Sequence, residues 1–388
     1  MTFSVSPSPK YDFSAKFACG EIISSPMDIG IWSVLKPAGV QNHAPQLCWI
    51  APDQLACVWM AGDREGTSGM SIFASVLNQT KQRWSEPKLI SQHPASSEQN
   101  PFLFKTDDGR LHLIHTCHTA RDPDDTTWQD SGSAFSMQWT ARLFHQSVSK
   151  WGGRWTRSKE LCPEFAFCRH PPLKLLNGEW LLPVYRSLEK EGAFGYDSSL
   201  VLRLDSLAEK VNESLEVPNS TGRVHGSLVY SAEGDKLLQF FRSRLADRIY
   251  KSVGSLDGKN WSEPVATDLP NNNSSIQALR LSNGLLVMVF NRFSQESISQ
   301  EPRQWGEAVW PNTRWPMSVA ISIDDGDTWP WIRDIDTGDG FIGSANWYTN
   351  GQLAYPSVIE GNPGELHIAY SWANRLAIRY VCLNVVDI

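Results

Sequence analysis

Apolar residues in this chain fall in short runs separated by Gly, Asp, Asn and Pro, and the order of the pieces repeats. One unit reads as a short polar opening motif, an apolar strand, a Gly or Asp turn, a second apolar strand, a polar tail, a third strand and a Trp-bearing turn. The first unit opens at Asn42-His43-Ala44-Pro45, turns at Pro52-Asp53 and closes near Trp84-Ser85-Glu86-Pro87. The second opens at Gln99-Asn100-Pro101, turns at Asp107-Asp108-Gly109 and closes near Trp151 to Trp155. The third opens at Arg169-His170-Pro171-Pro172 and turns at Asn177-Gly178. The fourth opens at His225-Gly226-Ser227 and closes at Ser255 to Trp261; the fifth opens at Asn272-Asn273-Ser274-Ser275 and closes at Ser322 to Trp329. The sixth opens at Tyr355-Pro356-Ser357 and ends with the chain at Ile388, one strand short.

Strands of this length joined by turn residues predict an all-β protein, a six-bladed β-propeller of up to four strands per blade. The N-terminal segment supplies the missing strand of the last blade, and closure removes the exposed edges an open array would carry. Residues 1–388 then form one propeller domain. Composition agrees: 17 Trp, 27 Gly and 23 Pro suit short strands and hairpins, while 41% hydrophobic and 20% charged residues argue against disorder. The formal net charge of -7 leaves no basic footprint for nucleic acid. Met1 to Lys16 holds no apolar run of signal-peptide length, and no stretch approaches a membrane span, so the expected location is cytoplasmic, without a membrane partner. Seven Cys, an odd number without short-spaced pairs, read as buried free thiols.

Blade order also predicts a site. The first strand of every blade lines the central channel, and antiparallel pairing returns each second strand to the same face. Residues before the first strands (His43, Asn100, Arg169, His225, Asn273, Tyr355) and after the second strands (Arg64, Glu65, Tyr185, Arg242) therefore converge on one funnel. Arg binds carboxylates through two parallel bonds, His moves protons near neutral pH and Asn fixes hydroxyls. The predicted partner is an acidic saccharide or another small anion. The alternative is that these polar residues cap strands and bond loop carbonyls. His112, His115, Cys117 and His118 are close in sequence, but alternation along a strand puts His112 and His115 on opposite faces, so neither a metal nor a cofactor is expected. Trp347 and Tyr348, just ahead of the sixth opening, suit a platform on which a sugar stacks.

The segment Ser322-Ile323-Asp324-Asp325-Gly326-Asp327-Thr328-Trp329 resembles the Asp-box of sialidase-like propellers. With Leu269 to Gln277 and Asn177 to Tyr185, it makes the chain similar to the sialidase superfamily, and more narrowly to bacterial BNR-repeat proteins described as predicted neuraminidases. Sialidases hold a carboxylate with three Arg and use a Tyr nucleophile polarised by a Glu, with an Asp acid/base. The resemblance implies Arg242 and Arg314 as carboxylate binders and Tyr355 as nucleophile. It also marks departures: His43-Ala44-Pro45 stands in place of Arg-Ile-Pro, His225 in place of the Glu, and Asp63 or Glu65 in place of the acid/base Asp. Three functions follow: hydrolysis of a glycosidic bond beside an acidic sugar, β-elimination at a uronic acid, or glycan or protein binding without catalysis. Elimination would use His43 or His225 as base, Tyr355 or Tyr185 as acid, and Arg242 with Arg314 or Arg169 to neutralise the carboxylate.

Overall fold

The computed structural model describes residues 18–24, 30–120, 138–187, 196–297, 304–305, 308–338 and 352–388. Six antiparallel sheets stand in a ring, one for each repeat, and neighbouring blades pack on one another through their inner strands. In blade one these strands are Gln41–Ala51, Gln54–Gly62 and Ser71–Asn78, with two short outer strands, and the other blades follow the same order outward from the axis. The closing blade combines Ala354–Glu360, Glu365–Trp372 and Ala377–Asn384 with Ile31–Val34 from the N-terminal side, in the register Ile31↔Cys382 to Val34↔Arg379. This is the closure the sixth unit's missing strand predicts.

Alternation gives each sheet two apolar faces, and the core lies between blades. Leu47, Leu55, Cys57 and Trp59 of blade one pack against Ala369, Ile378 and Tyr380 of blade six. A fully buried Leu or Phe in such an interface contributes roughly 1.5–3 kcal/mol. The hairpin at Ser322 to Trp329 is held by its own side chains: Thr328 N and Oγ1 donate to Asp324, and Gly326 N donates to Ser322 Oγ. Trp329 closes over the turn and meets Phe240 of blade four edge-on at 6.2 Å.

The blade openings share a backbone device. In blades one, two, four and six the first strand carries a one-residue bulge, two of its residues facing one of the partner, between His43 and Gln46, Gln99 and Phe102, Val224 and Ser227, and Ala354 and Ser357. The first of the two bulge residues is left-handed each time: Ala44 (φ 54), Asn100 (φ 49), His225 (φ 55) and Tyr355 (φ 56), and Asn273 (φ 56) takes the same conformation at the opening of blade five. Left-handed non-glycine backbone costs on the order of 1–3 kcal/mol and gathers where function overrides local preference. Blade three differs. Its first strand is broken into Phe167–Cys168 and Leu173–Lys174, because Pro171 and Pro172 in the gap offer no N–H to a ladder.

That gap carries Arg169 into the middle of the ring. The side chain is 1% exposed, and its guanidinium donates to three backbone carbonyls, Pro45 (3.1 Å), Tyr355 (3.0 Å) and Pro356 (3.1 Å), with Nε donating to Ser275 Oγ (3.3 Å). Blade three is thereby tied to blades one, five and six across the channel.

All seven cysteines are free thiols, six of them buried. His112 and His115 face opposite sides of blade two, as alternation requires. His112 stacks on Phe104 and shares a 2.9 Å hydrogen bond with His145, while His115 bonds Glu98 at 3.1 Å. Burial pushes His112 down to about 4 and His145 down to about 3, in both cases the leading cause.

Two stability predictions follow from this packing. Arg169→Met leaves buried carbonyls unpaired and should lower the unfolding free energy by about 3 kcal/mol or more in urea titration; an unchanged midpoint would contradict the clamp. The unfolded chain protonates His112 and His145 near the ordinary value of about 6.5, whereas the folded chain resists down to about 4 and about 3. More protons on the unfolded state below pH 6.5 means stability falls with pH there. Thermal melts should show the decline beginning below about pH 6.5, and the double variant His112→Phe, His145→Leu should make it shallower between pH 6.5 and 5, the other buried histidines keeping the rest.

Candidate functional site

One cavity of about 350 Å³ opens at the funnel end of the channel, and its lining is dominated by Arg64, Arg242, Arg244, Arg314 and Arg375, with Tyr355, Tyr185 and His225. Tyr355 is its centre. Its left-handed backbone belongs to the blade-six bulge, and its carbonyl is held by Arg169 from within the channel. Its hydroxyl accepts a hydrogen bond from Arg242 Nη1 at 2.8 Å. The His43 ring lies 4.2 Å from the Tyr355 ring, and the His225 ring meets it edge-on at 5.4 Å. Burial raises the phenol, but Arg242, Arg314 and Arg375 outweigh burial and the opposing Glu65, and hold Tyr355 below its ordinary value of 10.

Arg242 leaves the second strand of blade four, Leu237–Ser243, where its Nε donates to Asn273 Oδ1 at 2.6 Å. Asn273 is fixed in turn by donating to the Val309 carbonyl at 2.7 Å. A guanidinium with one edge bound by an amide and the other aimed at the phenol has little freedom left, so its charge is preorganised. Arg314 lines the same cavity; burial, first, and the charges of Arg242 and Arg375 lower it to about 10. Glu65, in the loop between the second and third strands of blade one, is ion-paired with Arg375.

The structure thus gathers Tyr355, His225, Glu65, Arg242, Arg314, Arg64 and Tyr185 around one cavity, and Asn273 stands behind Arg242. Tyr185 stacks on Phe167 at 5.4 Å and on His225 at 5.3 Å, and burial drives its phenol up. His43 is wholly buried under Tyr355, its Nδ1 bonded to Ser371 Oγ at 2.7 Å. Burial, then the charges of Arg375 and Arg314, push its imidazole well below 6.5, and burial with Arg242 and Arg244 does the same to His225. Both are neutral at physiological pH. Arg169 and Asn100 stand apart from the lining: Arg169 uses its donors on carbonyls, and Asn100 is buried in the blade-two bulge with its carbonyl facing Cys168. Trp347 and Tyr348 lie outside the described residues.

Sequence reasoning missed Arg375, Arg244 and Asp197. Arg375 follows the second strand of blade six, and the rule that selected Arg242 and Glu65 reaches it when the hairpin is counted three residues past Trp372. Arg244 lies two residues beyond Arg242, so strand alternation could have found it. Its Nε donates to Asp197 at 2.7 Å, and Ser187 Oγ donates to the same carboxylate at 2.5 Å. No sequence signal links Asp197 to Arg244. The guanidinium lies 5.6 Å from the Tyr185 ring and 5.4 Å from the Trp310 ring, which makes an aromatic wall with a fixed cation beside the phenol.

The fold has known counterparts. The Hadza microbial sialidase Hz136 superposes with a TM-score of 0.66 at 12% identity, over 90% of this chain and 66% of that one. The K499G mutant of NanB sialidase from Streptococcus pneumoniae superposes at 0.68 and 11% identity, over 94% of this chain and 72% of that one. An alpha-L-arabinanase from Penicillium chrysogenum, complexed with arabinobiose, gives 0.59 at 10% identity over 90% of this chain and 94% of that one. No curated protein matches the chain. Residues 53–368 match the family described as BNR repeat-like domain, and with most of its length inside that match the chain belongs to this family.

Proposed function

We propose that the protein is a glycoside hydrolase that cleaves a glycosidic bond beside an acidic sugar, with Tyr355 as nucleophile. The observation that carries this reading is the 2.8 Å bond from Arg242 to the Tyr355 hydroxyl on the floor of an arginine-lined cavity. A phenol is a weak nucleophile at neutral pH, and guanidiniums that favour its phenolate are what activation requires. The substrate carboxylate would take its place among Arg242, Arg314 and Arg375, where two-bond pairing fixes its orientation.

The phenolate oxygen of Tyr355 forms a bond to the anomeric carbon as the bond to the leaving oxygen breaks, and that oxygen takes a proton from Glu65. Arg375 pairs with Glu65 before substrate arrives. A substrate carboxylate drawing on Arg375 would loosen that pair and let Glu65 carry the proton. Water then attacks the anomeric carbon, gives its proton to Glu65 and releases Tyr355 as phenolate.

One observation favours elimination at a uronic acid instead. The rings flanking Tyr355 are two neutral histidines, and among the described residues its hydroxyl is bonded by Arg242 rather than by a carboxylate. The products separate the readings. Hydrolysis of an acidic oligosaccharide releases a reducing sugar without new ultraviolet absorbance, and elimination creates an absorbing C4–C5 double bond. Turnover by neither route, with ligand binding kept in Tyr355→Phe, would leave a binding propeller.

On the hydrolytic reading Tyr355→Phe should lower kcat by about 10³-fold or more with little change in KM; a smaller loss would remove Tyr355 from the nucleophile's role. The pH dependence of kcat/KM should rise through a value below 10, because the phenolate reacts and nearby cations stabilise it. Arg242→Ala should move that limb upward in pH as well as weaken binding of the acidic ligand, and a limb that stays in place would separate Arg242 from the phenol's activation.

A further inference from the structure

A second cavity, of about 470 Å³, lies between blades one and six and shares none of its lining with the arginine cavity. Three ligand-type side chains meet on its wall. His367 and Cys382 are direct cross-strand partners, and Glu365 precedes His367 by two residues, so alternation places all three on one face of blade six. Trp49 of blade one meets the His367 ring edge-on at 5.1 Å and closes the other side.

The spacing is that of a coordination site. Cys382 Sγ lies 3.5 Å from one oxygen of Glu365, and His367 Nε2 lies 3.7 Å from the other. The sulfur–oxygen distance is close to the roughly 3.6 Å between sulfur and oxygen ligands of a tetrahedral zinc ion, given its usual bond lengths, while the histidine distance is to the other carboxylate oxygen. All three ligand atoms lie within 4.8 Å of one another.

Two further features point to an ion. His367 Nδ1 shares a 2.7 Å hydrogen bond with the Tyr380 hydroxyl, while Nε2 is buried without a hydrogen-bond partner among the described residues. Metal-binding imidazoles are oriented in this way, one nitrogen tied to a neighbour and the other left for the ion. A Cβ on Gly361 would stand 2.4 Å from His367 Nε2 and 2.8 Å from Glu365 Oε2, so a side chain there would fill the space over the ligands. Gly361 does not have a positive φ, so the backbone itself makes no demand for glycine at this position.

We propose that Glu365, His367 and Cys382 bind a divalent ion of the zinc class, with three protein ligands and a fourth position open to the cavity. Asn362 orients the carboxylate by donating to Glu365 Oε2 from its backbone N at 3.1 Å and from Nδ2 at 2.8 Å. On binding, the Cys382 S–H bond to Glu365 is lost, the sulfur bonds the ion and the thiol proton leaves to solvent.

The test titrates chelator-treated full-length protein with Co²⁺ alone as the probe. The expected result is one equivalent bound, with a thiolate-to-cobalt charge-transfer band in the near ultraviolet that disappears in Cys382→Ser. Tyr380→Phe should weaken binding by about 10–100-fold, and Gly361→Ala should abolish it while circular dichroism stays unchanged. A second buried group, Glu98, His115 and Cys117, makes Cys117→Ser the necessary control. The inference is overturned by the absence of a band in the unaltered protein, by a band that persists in Cys382→Ser, or by one lost only in Cys117→Ser. Should Cys382→Ser fail to fold, Glu365→Gln and Gly361→Ala still decide the question.

Discussion

The Arg169 guanidinium bound to the carbonyls of Pro45, Tyr355 and Pro356 is the contact on which the centre of this propeller depends. Six first strands cannot meet at an axis without turning some of their polar backbone inward. The blade-opening bulges do that turning, and they leave the carbonyls of Pro45, Tyr355 and Pro356 within reach of Arg169. A guanidinium answers several at once because it is a planar fork of donors with no acceptor of its own. The cost is a buried cation without a carboxylate partner among the described residues, and burial, first of all, lowers Arg169 to about 10. Carbonyl oxygens stand in for the hydration it has lost.

That clamp fixes Tyr355 from below, and Arg242 fixes it from above. The phenol is therefore held at both its backbone and its hydroxyl, while Asn273 holds Arg242. Such a chain of supports is what a preorganised charge site needs, since no reorganisation remains to be done when the reacting group forms. The same arrangement crowds Arg242, Arg314 and Arg375 together with Glu65 as the carboxylate among them. Like charges brought together repel, and on the proposed reading an arriving anion would relieve that repulsion.

The blade register was legible because it follows from local rules. Asp and Gly at fixed offsets make hairpins, alternation makes strands, and a unit that runs out of strands at Ile388 needs one from the N-terminal side. Those rules also brought Tyr355, His225, Arg242 and Glu65 to one end of the channel. They did not separate Arg169, which crosses the axis, from Arg314, which lines the cavity, because both read simply as arginine near a blade edge. Blade three opens where the repeat places it, at Arg169 to Pro172, and the missing N–H groups of its two prolines break the first strand there and let Arg169 leave the sheet.

What the sequence by itself determined, then, is everything set by contacts a few residues long: six repeats, their turns, the closing strand and the end of the channel where polar residues gather. The tertiary structure alone decided which of those residues touch. Arg244 meets Asp197 across 47 residues, Glu65 meets Arg375 across 310, and Cys382 meets Glu365 from the next strand. Pairings between blades depend on how far each sheet is rotated about the axis and on which face a bulge presents. Those quantities arise from packing the whole ring at once, and no short stretch of the chain contains them.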